Sequence, residues 1–260
     1  MRIYAHRGVS AHLPENTLAA FASAIELGVD GIELDVQLSS DGIPVVIHDD
    51  TADRTTNGTG SIREFTARQL GLLDAGRGEF VPTLAQVLKL AAGKVCVNIE
   101  LKDPTSAGPV CEVVAQVAGL DWFASSANWN SLADLAARIP NAKVYPLCIG
   151  KLEKVRAHLP QSAILEQFAG RGLAEAIAFA LNNGGEGVSV CERGLEEDDI
   201  ETIHSAGLQA WVWTVNDTGR ALDLEKMGID ALCTDDPALI QTAKVPGTVR
   251  STDSTSVAGN

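Results

Sequence analysis

The sequence predicts an α/β fold, a (β/α)8 TIM barrel with a β-hairpin rising from its second strand and a short insertion over the C-terminal mouth. Three observations carry this. Short apolar runs alternate with segments of helical periodicity, the pattern of a parallel α/β sheet. Nine such runs read as strands, but one is tied to its predecessor by a linker too short for a parallel crossover, which leaves eight. The length of 260 residues is ordinary for one barrel of roughly 250 residues.

The elements follow in order. The first strand covers 3–5. Leu18, Phe21, Ala22 and Ile25 then fall at helical spacing, with Asn16 or Thr17 as N-cap and Gly28 as the stop. The second strand, 31–37, carries Glu33 and Asp35 between apolar neighbours. Only residues 38–42 separate it from the next run, 43–48, so the two form an antiparallel hairpin turning near Ser40-Asp41-Gly42. The return limb ends at His48, roughly opposite Asp35. The segment 50–82 is long for a βα connection. It holds Arg54-Thr55-Thr56-Asn57-Gly58-Thr59-Gly60 and a helix-like stretch at 66–73, and it reads as the insertion, since long ordered loops are usually functional. Thr83 caps a helix through Leu84, Val87, Leu88 and Leu90 that ends near Gly93. Strands are expected at 94–101, 122–125, 143–149, 187–190, 209–215 and 231–234. Glu196 to Asp199 suit the first turn of a helix ending near Gly207, and Asp217 caps another that runs through Leu222 and Leu224 to Gly228. A single domain thus spans 1–243, with 50–82 inserted, and 244–260 reads as a disordered tail without periodicity.

The formal net charge of -14 argues against nucleic acid or an anionic membrane surface as main partner, because either would be repelled by the average surface. An anionic small molecule is not excluded: Arg7, Lys102 or a bound cation can reverse the sign locally. The five cysteines, Cys96, Cys111, Cys148, Cys191 and Cys233, are odd in number and widely spaced, so neither a disulfide framework nor a zinc knuckle is suggested. Most of them lie in or beside apolar runs and read as small buried hydrophobes of a reducing compartment. The sequence shows no signal-peptide pattern and no run of 18 apolar residues, so the expected location is the cytoplasm, with no integral membrane segment and an oligomeric state left open.

Chemistry concentrates at the strand ends. Glu33 and Asp35 share strand parity and point to one side, while Ile32, Leu34 and Val36 point to the helices. Two carboxylates inside a barrel repel unless a cation or proton sits between them. Glu100, at another strand end, is the natural third oxygen ligand, and an all-carboxylate set suits Mg²⁺ or Ca²⁺ over zinc. His6 ends the first strand and His48 returns on the hairpin. Two imidazoles can divide the work of taking a proton from a nucleophile and giving one to a leaving alkoxide. Arg7 can grip phosphate oxygens bidentately and Lys102 can add a point charge. Together these groups suit metal-assisted attack on a phosphate ester. Glu15 reads equally as a first-turn acid, as the partner of Arg7 or as a water-mediated cation ligand. Trp213 is the better of two tryptophans for an aromatic wall beside a polyol. His12, His158 and His204 read as surface residues, and no phosphate-cradling loop or nucleophile elbow is present.

In their order, these residues resemble the glycerophosphodiester phosphodiesterase family. The pieces are His6-Arg7-Gly8, Pro14-Glu15-Asn16-Thr17, Glu33-Leu34-Asp35-Val36, Pro44 to Asp49, Arg54 to Gly58, Pro82-Thr83-Leu84, Glu100-Leu101-Lys102, Trp213 to Asn216 and Thr234-Asp235-Asp236-Pro237. The resemblance implies a TIM barrel that hydrolyses glycerophosphodiesters to glycerol 3-phosphate and an alcohol. It implies Glu33, Asp35 and Glu100 as metal ligands and His6 and His48 as the acid/base pair. It also implies Arg7 and Lys102 as phosphate contacts and Trp213 against the glycerol end, and it favours a cyclic phosphate intermediate while leaving direct attack by water open. One departure stands out. Where the family often carries a Ser-Phe pair, this chain has Ser125-Ser126-Ala127-Asn128-Trp129, so that side of the mouth is expected to be wide, with Trp129 as partial compensation. Two alternatives are lysophospholipase D-type cleavage of lysophospholipids and a non-catalytic barrel that binds polyol phosphates.

Overall fold

A computed structural model describes residues 1–150, 168 and 171–244 of the chain. Its strands are β1 (Arg2–His6), β2 (Gly31–Leu38), β3 (Pro44–Val46), β4 (Cys96–Leu101), β5 (Trp122–Ser126), β6 (Val144–Cys148), β7 (Gly187–Cys191), β8 (Gln209–Trp213) and β9 (Ala231–Thr234). Helices are α1 (Leu18–Glu26), α2 (Ala67–Leu70), α3 (Leu84–Ala91), α4 (Ala107–Val114), α5 (Trp129–Arg138), α6 (Leu173–Asn182), α7 (Glu197–Ser205), α8 (Thr218–Lys226) and α9 (Pro237–Lys244). Strand order is β1-β9-β8-β7-β6-β5-β4-β2, and a parallel β1–β2 pairing closes the ring. The result is a (β/α)8 barrel of parallel strands. β3 lies outside it, antiparallel to β2, with Val36 opposite Val46 and Leu38 opposite Pro44. The turn between them forms at Gly42, which adopts φ +74° and donates its N–H to the Ser39 carbonyl. Ile47, not His48, lies across from Asp35, with its N–H on the Asp35 carbonyl. The expected juxtaposition is therefore off by one residue. The expected tail beyond residue 244, and His158, lie outside the described residues.

Local sequence explains the helices. Thr17, not Asn16, caps α1 by accepting the Ala20 N–H, which leaves Asn16 free for another task. Thr66 with Gln69, and Thr83 with Gln86, form reciprocal capping boxes at α2 and α3. The acidic run at 196–199 opens α7 as expected, with Glu196 and Asp199 as the box. α4 escapes a sequence reading because Gly108 and Pro109 look like a break. They sit in its first turn, where a missing N–H costs little.

The two faces of the sheet are filled differently. Ile32, Leu34, Val36, Val97 and Ile99 are buried against the surrounding helices. Inside the barrel, Tyr4, Phe123, Tyr145 and Trp211 form an aromatic plug, with Trp211 4.3 Å from Tyr4 and 4.6 Å from Phe123 between ring centroids. Two glycines make room for it. A Cβ at Gly31 would stand 2.1 Å from the Tyr4 ring, and one at Gly187 would stand 2.4 Å from that of Tyr145. The plug seals the lower barrel, so the open space is at the carboxyl ends of the strands. The segment 50–82 has its own small core of Val45, Ile47, Ala52, Ile62, Leu70 and Val81, which packs it onto the β2–β3 hairpin. Among the described residues no helix is long and apolar enough to cross a membrane. All five cysteines are free.

Candidate active site

Strand register assembles the acidic centre. Parallel pairing sets His6 beside Glu33 and Asp35 beside Glu100. Glu33, Asp35 and Glu100 are all buried, and each offers one oxygen within 4.8 Å of the others. Glu33 Oε1 and Asp35 Oδ1 accept no hydrogen bond. Burial, then the charge of Asp35, pushes the Glu33 carboxyl up to about 8. Burial works in the same direction at Asp35, but Lys102 and Arg7 overcome it and hold that carboxyl well below the usual range. Asn16, left-handed at φ +58°, donates its amide to Asp35 Oδ2 at 2.8 Å and so fixes which way the carboxylate faces.

Both cations are present and both are paired. Lys102 Nζ is 2.5 Å from Glu100 Oε1 and 3.3 Å from Asp35 Oδ1. Arg7 Nε lies 3.1 Å from Asp35 Oδ2, outside hydrogen-bond geometry, while its Nη1 donates to Glu15 Oε1 at 3.0 Å. Arg7 takes φ +56° in the turn after β1, and its backbone N–H reaches Glu33 Oε2 at 3.0 Å. The next residue, Gly8, is at φ +80°, where a Cβ would meet the Ala20 backbone at 2.6 Å. The tight turn that aims Arg7 therefore requires glycine after it.

Each histidine is braced by an aspartate. His6 Nδ1 is 2.6 Å from Asp235 Oδ1, and His48 Nδ1 is 2.6 Å from Asp49 Oδ1. Burial opposes the Asp235 charge, but the His6 hydrogen bond prevails and draws the carboxyl down to about 2. Arg54 foremost draws Asp49 to about 2. Ionised carboxylates only accept, so each imidazole presents Nδ1–H to its aspartate. Nε2 is then left free; that of His6 stands 3.9 Å from Glu33 Oε2. Burial pulls the His6 pKa down, but Asp235 and Glu33 more than compensate, and it ends raised. Asp235 is itself held by Ser10 Oγ and by the Asn216 amide.

A cavity of about 520 Å³ opens above this centre, lined by His6, Arg7, His48, Glu100, Lys102 and Trp213, together with Gln37, Asp49, Asp50, Leu147, Phe168 and Thr214. The catalytic, phosphate-contact and aromatic candidates thus meet in one place, with Glu33 and Asp35 beneath. Glu15 stands to one side, bridging Arg7 and Arg54. Trp211 belongs to the plug, so Trp213 is the tryptophan of the mouth. The expected wide side is not open. Ala127 is buried in one cluster with Leu147, Ile149, Phe168 and Cys191, and the Phe168 ring lies 5.8 Å from that of Trp213. Trp129 does not compensate: its indole N–H donates to the Leu147 carbonyl and its ring packs on Phe179. His12 and His204 are exposed, and each pairs with an aspartate.

Sequence reasoning gave Asp235, Asp49 and Arg54 no role at the site, read Asn16 only as a possible helix cap, and passed over Phe168. Asp235 had a legible signal, because it follows an apolar strand that must neighbour β1 to close the ring; pairing Ala5 with Thr234 brings it to His6. Phe168 had none, since it is distant from every other cavity residue in sequence.

Comparison with known proteins gives a consistent result. The family model for the glycerophosphoryl diester phosphodiesterase family matches residues 6–239. A glycerophosphodiester phosphodiesterase of Caldanaerobacter subterraneus is 36% identical over 252 residues, covering 90% of this chain and 94% of that protein. One from Bacillus altitudinis is 30% identical over 251 residues, covering 91% and 95%. Among solved structures, an Oleispira antarctica phosphodiesterase in complex with the product sn-glycerol-3-phosphate superposes with a TM-score of 0.79 at 29% identity, covering 94% of this chain and 96% of that one.

Proposed function

We propose, for a chain that belongs to the glycerophosphoryl diester phosphodiesterase family and is an enzyme of that activity, that it cleaves its diesters with a divalent cation held by Glu33, Asp35 and Glu100 and with His6 and His48 as the acid/base pair. The observation that carries the reading is the buried triad, in which Glu33 Oε1 and Asp35 Oδ1 accept no hydrogen bond, below a cavity lined by two imidazoles braced by aspartates. Hard oxygen donors in that number fit Mg²⁺ or Ca²⁺. When bound, the cation would polarise a phosphoryl oxygen and lower the pKa of a coordinated hydroxyl or water.

The rest of the chemistry belongs to the protein. Arg7 and Lys102 each face both a carboxylate and the cavity, so they can shift charge onto a phosphate as it enters. With Nδ1 committed to aspartate, His6 and His48 each present Nε2 to the cavity. One removes a proton from the nucleophile as the other protonates the departing alkoxide. Trp213 donates its indole N–H to the Ser189 carbonyl, which sets its ring as a fixed wall for the glycerol carbons. The products are glycerol 3-phosphate and the free alcohol, and the acidic surface favours soluble deacylated diesters as substrates. The test is release of glycerol 3-phosphate from glycerophosphocholine with Mg²⁺, Ca²⁺ or Mn²⁺, before and after exhaustive chelation. Turnover that stops on chelation and returns with one of these cations is the expected result. Undiminished turnover after chelation overturns the metal reading.

A further inference from the structure

Arg54 is carried by the inserted segment, is half exposed, and does not line the 520 Å³ cavity. All three of its nitrogens are nevertheless engaged. Nε donates to Asp49 Oδ2 at 2.6 Å and Nη2 to Asp49 Oδ1 at 2.9 Å. Nη1 donates to Glu15 Oε2 and Nη2 to Glu15 Oε1, both at 2.9 Å. One planar guanidinium therefore clamps two carboxylates, each through both of its oxygens. This geometry favours arginine over lysine.

Those two carboxylates end in different parts of the machinery. Asp49 holds His48 Nδ1 at 2.6 Å, and Glu15 holds Arg7 Nη1 at 3.0 Å. Arg7 in turn stands 3.1 Å from Asp35 Oδ2. A continuous line of hydrogen bonds thus joins the imidazole on the hairpin to the guanidinium on the β1–α1 turn, and Arg54 is its middle link. The loop bearing Arg54 is itself fixed: Ala52 N–H bonds the Gly60 carbonyl, Thr56 N–H bonds the Ala52 carbonyl, and Thr51 bridges Ser61.

We infer that Arg54 is a positioning residue, which sets the orientation of His48 through Asp49 and of Arg7 through Glu15, so that the inserted segment ties the acid/base group to the phosphate contact. The inference rests on the function proposed above. A merely structural pair at this exposure adds little to stability, so the effect belongs in the kinetics and not in the melting temperature.

Five single variants and one double test it. Asp49→Asn loosens only the His48 arm and should lower kcat with KM kept. Glu15→Gln loosens only the Arg7 arm and should raise KM more than it lowers kcat. Arg54→Met should do both, with kcat/KM down by about 10- to 100-fold, the scale expected when a reacting group is misplaced by about 1 Å. Its melting temperature should stay near that of the wild type. Combining Arg54→Met with Asp49→Asn should lower kcat little beyond the single variants, because one link cannot be broken twice. Partial return of kcat in Arg54→Ala on adding millimolar methylguanidinium would support the clamp directly. Should Arg54→Met fold poorly, Arg54→Lys keeps a charge without the fork and should show the same kinetic loss. Wild-type kcat and KM in the Met and Lys variants would overturn the inference, as would losses that only track the folded fraction. A wild type that releases no glycerol 3-phosphate with any cation overturns the proposed function instead, and the two failures are separate.

Discussion

Charge, more than volume, decides what substitution does at Glu33, Asp35 and Glu100, because their oxygens sit within 4.8 Å of one another in buried surroundings. Glu33→Gln removes the acid whose ionised form burial and Asp35 both oppose. It should bring glycerol 3-phosphate release to background while the metal-free protein melts no lower than wild type in a calorimetric scan. Asp35→Asn should also silence the enzyme, but it should lower the melting temperature, since Arg7 and Lys102 lose the carboxylate they share. His6→Ala and His48→Ala should each cost ~10²–10⁴-fold in kcat, the range for a positioned proton donor or acceptor. A kcat within threefold of wild type in either variant would remove that residue from the acid/base pair. If the glycerol 2-hydroxyl is the nucleophile, 2-deoxy substrate analogues should not turn over; undiminished turnover would point to direct attack by water. Asp235 ties residue to pH. Its folded carboxyl is held at about 2, below the ordinary value of 3.8. Its contribution to stability is therefore complete above about pH 4 and is lost as pH falls through about 2. Asp235→Asn should flatten the acid limb of a stability-against-pH curve in that window and, because Asp235 also raises the His6 pKa, should reduce the stability lost as pH rises through neutrality. It should reduce kcat by no more than His6→Ala does.

At the scale of elements, the hairpin and the closing strand were legible, and of the aromatic wall Trp213 was but Phe168 was not. A five-residue linker excludes a parallel crossover whatever the residues in it, so β3 had to fold back on β2, and His48 had to return to the carboxylates. Parity likewise assigned Glu33 and Asp35 to the interior. Helix caps were legible where a threonine or acid preceded a periodic run, and α4 was lost behind a Gly-Pro pair that only the first turn tolerates. Phe168 illustrates the limit. Its place beside Trp213 is fixed by three-dimensional packing with Ala127 and Leu147, and no local pattern encodes it. The small Ala127 side chain belongs to the cluster that seats this ring, so the mouth keeps an aromatic wall by another route. Phe168→Ala should then weaken the contact to a quaternary ammonium leaving group. A cation–ring contact of ~0.5–1 kcal/mol corresponds to about a twofold to fivefold fall in kcat/KM for glycerophosphocholine relative to glycerophosphoglycerol. Ala127→Phe should overfill the cluster and cost about 1–3 kcal/mol of stability. An unchanged substrate ratio in Phe168→Ala would mean that the alcohol leaves by another side of the mouth.

For the molecule as a whole, the balance of charge favours an added cation at the centre, as the proposed function requires. The formal net charge is -14, and the mouth repeats the imbalance. Glu15, Glu33, Asp35, Asp49, Glu100 and Asp235 outnumber Arg7, Arg54 and Lys102, and every one of those cations is already paired with a carboxylate. A phosphodiester monoanion approaching such a surface is repelled until a divalent charge is added at the bottom of the cavity. The same imbalance would make a bound cation a stabiliser of the fold, because the proposed site exists only when β2 and β4 are in register. Binding to the native state alone adds RT ln(1 + [L]/Kd), which is about 2.7 kcal/mol at a hundredfold excess over Kd. For a chain of this size 1 kcal/mol moves the midpoint by roughly 2–4 °C, so saturating cation should raise the melting temperature by about 5–10 °C over the chelated protein. Glu33→Gln and Glu100→Gln should each abolish most of that rise, because each removes one of three oxygen ligands. Glu225, an acid that pairs with Lys244 far from the mouth, supplies the control, and Glu225→Gln should keep the full rise. An equal rise in all three variants would assign the cation to the general acidic surface, and no rise in the wild type would leave the buried triad without the ion its geometry fits.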